Sequence, residues 1–314
     1  MAMIENGFHQ PVLVDKVIEF LNLETGKVYM DATVGGGGHA GAILSECGPF
    51  GEVICIDRDP HAIEAARKWL TRFPESRYQL IQRNFSHLTE VLSELQTPRV
   101  DGVLFDLGVS SFQINEAERG FSFDNDGAPL DMRMSPSIEV TARDLVNDSG
   151  TSELAHIFRK YGEENHSYKI ARAIEQARKT RPIETSGDLI KVIERVTSGT
   201  DIVKTKARIF QALRIQVNNE LDALKVALKQ AVDCLNPGGR IVVISYHSLE
   251  DRIVKNFFRD MERGCTCPPD FPYCVCNGTQ KLSILTRKLV RPAAKEIKQN
   301  SRSRSAKLRA AKRI

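Results

Sequence analysis

Apolar and polar positions along the chain follow two rhythms in turn. Up to about residue 112, short apolar runs alternate with segments whose apolar positions recur every three or four residues. Tyr29 to Asp31, Glu52 to Asp57, Tyr78 to Gln82 and Val100 to Asp106 read as buried strands. His61 to Leu70 carries Ile63, Ala66, Trp69 and Leu70 near helical spacing, Thr89 to Leu95 gives another short helix, and Ala40 to Leu44 opens one after a glycine run. Strands alternating with helices predict an α/β fold, a doubly wound sheet with right-handed crossovers.

The rhythm breaks at Ser111 to Ser137, which has no period and is rich in Gly, Asp, Phe and Arg. Loops this long inside a domain usually serve function, and Phe112, Phe121 and Phe123 favour an ordered lid over a linker. Helical spacing then takes over. Ser152 to Tyr161 presents Leu154, Ile157 and Phe158, and Ser167 to Thr180 presents Ile170, Ala173, Ile174 and Ala177. Thr185 and Asp188 form a helix-capping pair ahead of Leu189, Ile190, Val192 and Ile193. One long helix is expected from about Lys206 to Leu235, followed by a Pro237-Gly238-Gly239 turn and a strand from Ile241 to Ile244. The expected organisation is a sheet domain in two parts, 1–112 and 218–314, with the lid loop and an all-helical substrate-recognition insertion at 113–217 between them.

Composition narrows the class. Among 314 residues, 41% are hydrophobic and 27% charged, the balance of a soluble globule. No apolar stretch approaches the ~18 residues that span a bilayer, so no membrane association is expected. Met1 to Gln10 has no basic region followed by an apolar core, so no secretion signal is expected there. Seven cysteines, an odd number, argue for reduced thiols and a cytoplasmic setting. Charge is unevenly placed. Lys281 to Ile314 holds twelve Lys or Arg against one acid, Glu296, so this stretch carries +11 and leaves −7 on the rest of a chain whose net charge is +4. A basic strip on an acidic body fits a phosphate-bearing partner. Leu282 to Thr286 alternates like a strand, which favours a partly ordered basic edge over a solvated tail.

Candidate chemistry centres on the first strand. Asp31 ends it, and four glycines, Gly35 to Gly38, lead through His39 into a helix. Glycine permits close backbone approach to a ligand, and a helix N-terminus offers unpaired N–H groups. The second strand ends in Asp57, nineteen residues after Gly38, where a carboxylate can reach ribose hydroxyls. Gly36-x-Gly38-x-x-Gly41 also satisfies the dinucleotide pattern, so an NAD-dependent oxidoreductase stays open. Three strand-end features favour S-adenosylmethionine instead. Asp31 suits a cationic ammonium and would repel a pyrophosphate; Asp106 ends a third strand; and a further strand follows Pro237-Gly238-Gly239.

Several strings together resemble one family. Asp31 to His39, Asp57 to Pro60, Asp106 to Gln113, Glu118 to Phe123, Leu130 to Met134, Tyr161 to Glu164, Phe210 to Arg214, Ser245 to Arg252 and Ser301 to Arg309 match, in order, the MraW (RsmH) family of bacterial methyltransferases. Those enzymes act on the N4 amine of a cytosine in small-subunit (16S) ribosomal RNA. The resemblance implies a Rossmann-like class I methyltransferase sheet with an inserted all-helical domain, and the small ribosomal subunit or its RNA as partner. A homodimer is a further expectation. Carried over by position, the resemblance implies adenosylmethionine contacts from Gly37, Gly38 and His39, with Asp57 on the ribose and Phe85 beside the adenine. Asp106 and Gln113 would sit at the sulfonium end. Tyr246 stands where the family string has Phe, a departure that adds only a hydroxyl.

N4 methylation needs no covalent enzyme intermediate, since the amine can attack the methyl group directly. Other exocyclic-amine enzymes carry Asp-Pro-Pro-Tyr or Asn-Pro-Pro-Tyr at this strand end. Here Asp106-Leu107-Gly108-Val109 takes its place, so Asp106 would accept an amine hydrogen, and Phe112 is the candidate for stacking the base. Phosphate contacts are expected from Arg208, Arg214, Arg302, Arg304, Lys307 and Arg309. His247 could move a proton, contact RNA or serve structure. Cys265, Cys267, Cys274 and Cys276 form a Cys-x-Cys pair of pairs that could hold structural zinc, as reduced surface thiols or an oxidised disulfide would also explain. Cys47, Cys55 and Cys234 read as small core residues. Methylation of another nucleic acid, a small-molecule methyltransferase and a non-catalytic RNA-binding protein remain as rivals.

Overall fold

Asp59 shows how locally the fold is written: its side chain accepts the His61 N–H at 3.0 Å and caps a helix whose first residue is Pro60. The structure, a computed structural model, describes residues 11–110, 113, 114, 116–197, 201–265, 267, 273 and 278–314. In chain order it begins α1 (Val14–Leu21), β1 (Val28–Asp31), α2 (Gly38–Glu46), β2 (Glu52–Asp57), α3 (Pro60–Leu70), β3 (Tyr78–Gln82), α4 (Leu88–Glu94) and β4 (Val100–Asp106). Five helices follow: α5 (Ala142–Asp148), α6 (Thr151–Gly162), α7 (Ser167–Arg178), α8 (Ser186–Val196) and α9 (Ile202–Asn218). The chain then continues through α10 (Glu220–Cys234), β5 (Leu235–Ser245), α11 (Ser248–Arg263), β6 (Leu282–Ile284), α12 (Ala294–Gln299) and β7 (Lys307–Arg313). It divides into two units, 1–108 with 221–314, and 109–220. No helix among the described residues is long and apolar enough to cross a membrane.

The first unit is a seven-stranded sheet ordered β3-β2-β1-β4-β5-β7-β6. Strands β1 to β5 run parallel, and β7 joins β5 antiparallel from Arg240↔Lys312 to Ser245↔Lys307. The inner parallel strands β1, β2, β4 and β5 bury both faces, as helices on both sides of a parallel sheet require. Met30, Ile54, Val103, Phe105 and Val243 face one core with Leu88, Leu228 and Phe258. Tyr29, Val53, Cys55, Leu104 and Val242 face the other with Leu21, Ile43 and Leu70. That is why the strands read as unbroken apolar runs rather than as alternation. Cys47, Cys55 and Cys234 are buried core residues, as expected.

The second unit packs α5 to α9 around Leu154, Phe158, Ile170, Ile174, Leu189, Ile193, Ile209 and Leu213. The described part of the aperiodic loop is ordered against this core through Phe121 and Phe123. Met132, in a left-handed conformation (φ 60°), donates its N–H to the Arg119 carbonyl. The buried Asn218 amide accepts from Met134 N at 2.8 Å and donates to the Met132 carbonyl at 2.7 Å. Gly120 (φ 68°) must be glycine, because a Cβ there would lie 2.1 Å from the Pro129 carbonyl oxygen.

Three expectations need correction. The single helix from Lys206 to Leu235 is two helices, broken at Asn219 in the left-handed region (φ 49°, ψ 41°). Asparagine tolerates that conformation and closes α9 there, a stop that apolar periodicity cannot reveal. The strand expected from Ile241 begins at Leu235, which pairs with Val100. Residues 236–239, holding the Pro-Gly-Gly turn, bulge out before Arg240 pairs with Gly102. The end of the basic strip is an inner strand of the sheet, so β7 exceeds the ordered edge the sequence suggested.

Candidate active site

The sheet order reverses between β1 and β4, the place where an open α/β sheet leaves a crevice at its carboxyl ends. Asp31, Asp57 and Asp106 end β1, β2 and β4, three neighbouring strands, so three carboxylates share one rim. Asp31 is fully buried. Its Oδ1 accepts the Thr33 N–H at 3.2 Å, and its Oδ2 has no hydrogen-bond partner among the described residues. Burial pushes its pKa up to about 7, against the pull of His39 and the Thr33 N–H.

Asp57 holds the glycine loop in shape. Its Oδ2 accepts the Gly35 N–H at 3.0 Å and its Oδ1 the Asp59 N–H at 2.9 Å. Burial still raises its pKa to about 6. Within the loop, Gly37 takes φ 83°, and a Cβ there would lie 3.1 Å from the Trp69 ring and 3.3 Å from Ala66 Cα. Close packing of α2 on α3 therefore demands glycine there, beside any approach to a ligand. Gly38 opens α2, and His39, its second residue, is buried.

His39 Nε2 stands 3.4 Å from Asp106 Oδ2, an ion-pair distance but long for a hydrogen bond, and Nδ1 has no partner among the described residues. Burial alone would lower the His39 pKa; Asp106 and Asp31 beside it outweigh burial and raise it. The Asp106 backbone N–H donates to Thr33 Oγ1 at 2.6 Å, and its Oδ1 accepts the Tyr246 hydroxyl at 2.9 Å. Sequence reading missed Thr33 and Tyr246. Phe85 follows β3 and meets the Phe105 ring edge-on at 5.9 Å.

An orphaned buried carboxylate oxygen is what a cationic ligand would satisfy, and a crevice rimmed by acids fits a sulfonium and an ammonium better than a pyrophosphate. The residues present thus fit S-adenosylmethionine.

The other expected site residues have these surroundings. Gln113 lies in the second unit, where its Oε1 accepts the Ser110 N–H at 3.0 Å. Phe112 lies outside the described residues. His247 caps α11, with Nε2 3.1 Å from Glu250 Oε1, which favours the structural reading of that residue. Three arginines expected to face phosphates are engaged by carboxylates. Arg208 pairs with buried Glu164 at 2.9 Å, and Arg214 grips Glu220 through two bonds of 2.8 and 2.9 Å. Arg309 grips Asp251 at 2.6 and 3.1 Å. A phosphate would share these guanidinium groups with their carboxylate partners. Arg302 and Arg304 are exposed, on a short turn between α12 and β7, and Lys307 is half-buried. The zinc reading gains no support: Cys265 and Cys267 are half-buried, and Cys274 and Cys276 lie outside the described residues.

Comparison with known proteins agrees with the geometry. The chain is 47% identical over 309 residues to ribosomal RNA small subunit methyltransferase H of Syntrophotalea carbinolica, covering 98% of each. Proteins of that name from Heliobacterium modesticaldum and Geobacter sulfurreducens share 47% and 49% identity, covering 98% of this chain and 98% and 99% of their own. The model of the MraW methylase family matches residues 6–314, and the chain therefore belongs to the MraW methylase family.

Proposed function

We propose that this protein methylates the N4 amine of a cytosine in small-subunit ribosomal RNA, with S-adenosylmethionine as donor. The observation that carries the reading is the buried, unpartnered Asp31 oxygen beside Asp57 and Asp106 on one sheet rim. Family membership and the names of relatives 44–49% identical support the choice of ribosomal RNA. When bound, S-adenosylmethionine supplies an electrophilic methyl group. Asp31 would take the ammonium, Asp57 the ribose hydroxyls, and Asp106 would accept a hydrogen of the attacking amine. An acceptor there withdraws the amine lone pair from delocalisation into the ring and makes it more nucleophilic. Alignment of the reacting atoms can contribute roughly 7–11 kcal/mol of barrier reduction. The target base has to leave its stack or lie in an open loop.

Transfer of tritiated methyl groups into small ribosomal subunits, naked ribosomal RNA and DNA, with nucleoside analysis of the product, tests the proposal. Label in N4-methylcytidine from RNA or subunits is the expected result. Retention of NADH with no retention of S-adenosylmethionine would overturn it in favour of the oxidoreductase alternative.

The exposed turn Ser301–Ser305 supplies phosphate contacts on this reading. The double substitution Arg302→Glu, Arg304→Glu is expected to weaken RNA binding and flatten its salt dependence. Each lost contact removes about 0.7 to 0.9 from the slope of log K against log salt. Filter binding at several salt concentrations measures it, with calorimetry of S-adenosylmethionine expected to stay unchanged. An unaltered slope would take this turn out of the RNA interface.

A further inference from the structure

Asp106 is held from several sides, and the most distant contact in sequence is the most informative. Its Oδ1 accepts the Tyr246 hydroxyl at 2.9 Å across 140 residues of chain. Its Oδ2 faces His39 at 3.4 Å, and its backbone N–H is tied to Thr33. Tyr246 is itself anchored. It follows the last residue of β5, and its backbone N–H donates to Glu250 Oε2 at 2.9 Å, a carboxylate that also belongs to the cap of α11. Its ring lies against Gly108, where an added Cβ would sit 3.5 Å from Tyr246 Cδ2. Hydrogen bonds therefore run from the start of α11 through Tyr246 to the carboxylate at the end of β4.

The phenol can act in this chain only as donor to Asp106. Burial and the surrounding carboxylates of Asp106, Glu250 and Glu296 push its pKa well above the ordinary value, so it keeps its proton throughout the working range. An ionised carboxylate offers about four acceptor positions. One is taken by the phenol and one faces His39, with Asp31 beyond it, which leaves acceptor capacity for an incoming N–H.

We propose that Tyr246, which stands where the family string has Phe, is a positioning residue particular to this chain: its hydroxyl fixes the Asp106 carboxylate in the orientation that receives the amine hydrogen, a constraint that a Phe at this position leaves to other contacts. The proposal rests on Asp106 being the amine acceptor. Without the hydroxyl the carboxylate rotates and samples geometries in which its free lone pairs miss the amine. A group held loosely by its supporting contacts loses rate rather than ligand affinity.

The test is Tyr246→Phe in the full chain, which keeps the ring and removes one oxygen. Turnover on small ribosomal subunits is expected to fall about ten-fold, equivalent to about 1.4 kcal/mol. KM for the subunit and Kd for S-adenosylmethionine should stay within about two-fold, a split that a merely structural role would not produce. In an Asp106→Ala background the same change should cost nothing further, because the group it orients is gone. A second readout needs no substrate. In ligand-free protein, the tyrosine 13Cζ resonance missing from Tyr246→Phe belongs to Tyr246, and Asp106→Asn should bring its titration down. Wild-type turnover retained by Tyr246→Phe, an additive loss in the double variant, or a Tyr246 titration indifferent to Asp106→Asn would each overturn the inference. Wild-type protein that transfers no methyl group to any acceptor would overturn the proposed function itself, and this inference with it.

Discussion

Asp31→Asn is expected to weaken S-adenosylmethionine binding by about a hundred-fold or more while removing a pH-dependent weakness of the ligand-free protein. Both effects follow from one buried oxygen. Oδ2 has no partner among the described residues, so the folded chain holds a carboxylate whose ionised form lacks solvation. Removing one side of a buried charge pair costs about 2–5 kcal/mol, and the ammonium of the donor would lose that partner. The stability term has a definite sign. The Asp31 pKa rises from 3.8 unfolded to about 7 folded, so between those values the folded state binds the extra proton. Wild-type stability therefore falls as pH climbs from about 4 to about 7, by roughly 4 kcal/mol for this group in full. Asp57, raised to about 6, adds to the fall in the lower part of that window and remains in the variant. His39, raised as well, loses its contribution as pH passes its folded value. Calorimetry measures the affinity, and thermal unfolding at pH 5 and pH 8 measures the slope. Equal affinity in wild type and variant would remove Asp31 from the donor site.

Asp106→Ala should lower turnover by about 10²–10³ while S-adenosylmethionine affinity changes little. A positioned group that takes a proton in the transition state commonly contributes about 10²–10⁴. Asp106 sits where such a group is needed, between the glycine-loop histidine and the Tyr246 hydroxyl. Asp31 and Asp57, which carry the expected cofactor contacts, hydrogen-bond to their own loops without it. Single-turnover rates set against calorimetric Kd values separate the two roles. A parallel loss of affinity and rate would make Asp106 a binding residue only.

The conflict between fold stability and the site is itself informative. A protein optimised for stability alone would not bury an unpaired carboxylate beside two others. On the proposed function, strand-end acids at a topological switch point would be tolerated because the positive charge of the bound donor neutralises them. The same logic explains why the glycine run has more than one duty: Gly37 meets a left-handed turn and the tight approach of α3 at once.

Much of this was readable in the chain because it is local. The strand-end acids, the capping of α8 by Thr185 and Asp188, and the glycine turn into α2 each depend on residues a few positions apart. Helix ends were less legible. The stop at Asn219 rests on a left-handed backbone that asparagine permits without announcing it. Charge was least legible. Arg208, Arg214 and Arg309 look alike in sequence to Arg302 and Arg304, yet the first three meet Glu164, Glu220 and Asp251, while the other two remain exposed.

By itself, the amino-acid order determined the strand and helix rhythm, the interrupted sheet and the acids that end β1, β2 and β4, since periodicity and backbone preference act over short spans. Only the tertiary structure decided that β7 runs antiparallel inside the sheet, that Arg309 closes on Asp251 across 58 residues, and that Tyr246 reaches Asp106 across 140. Those contacts depend on which strands lie side by side, and strand order is set by how the whole chain buries its two apolar faces.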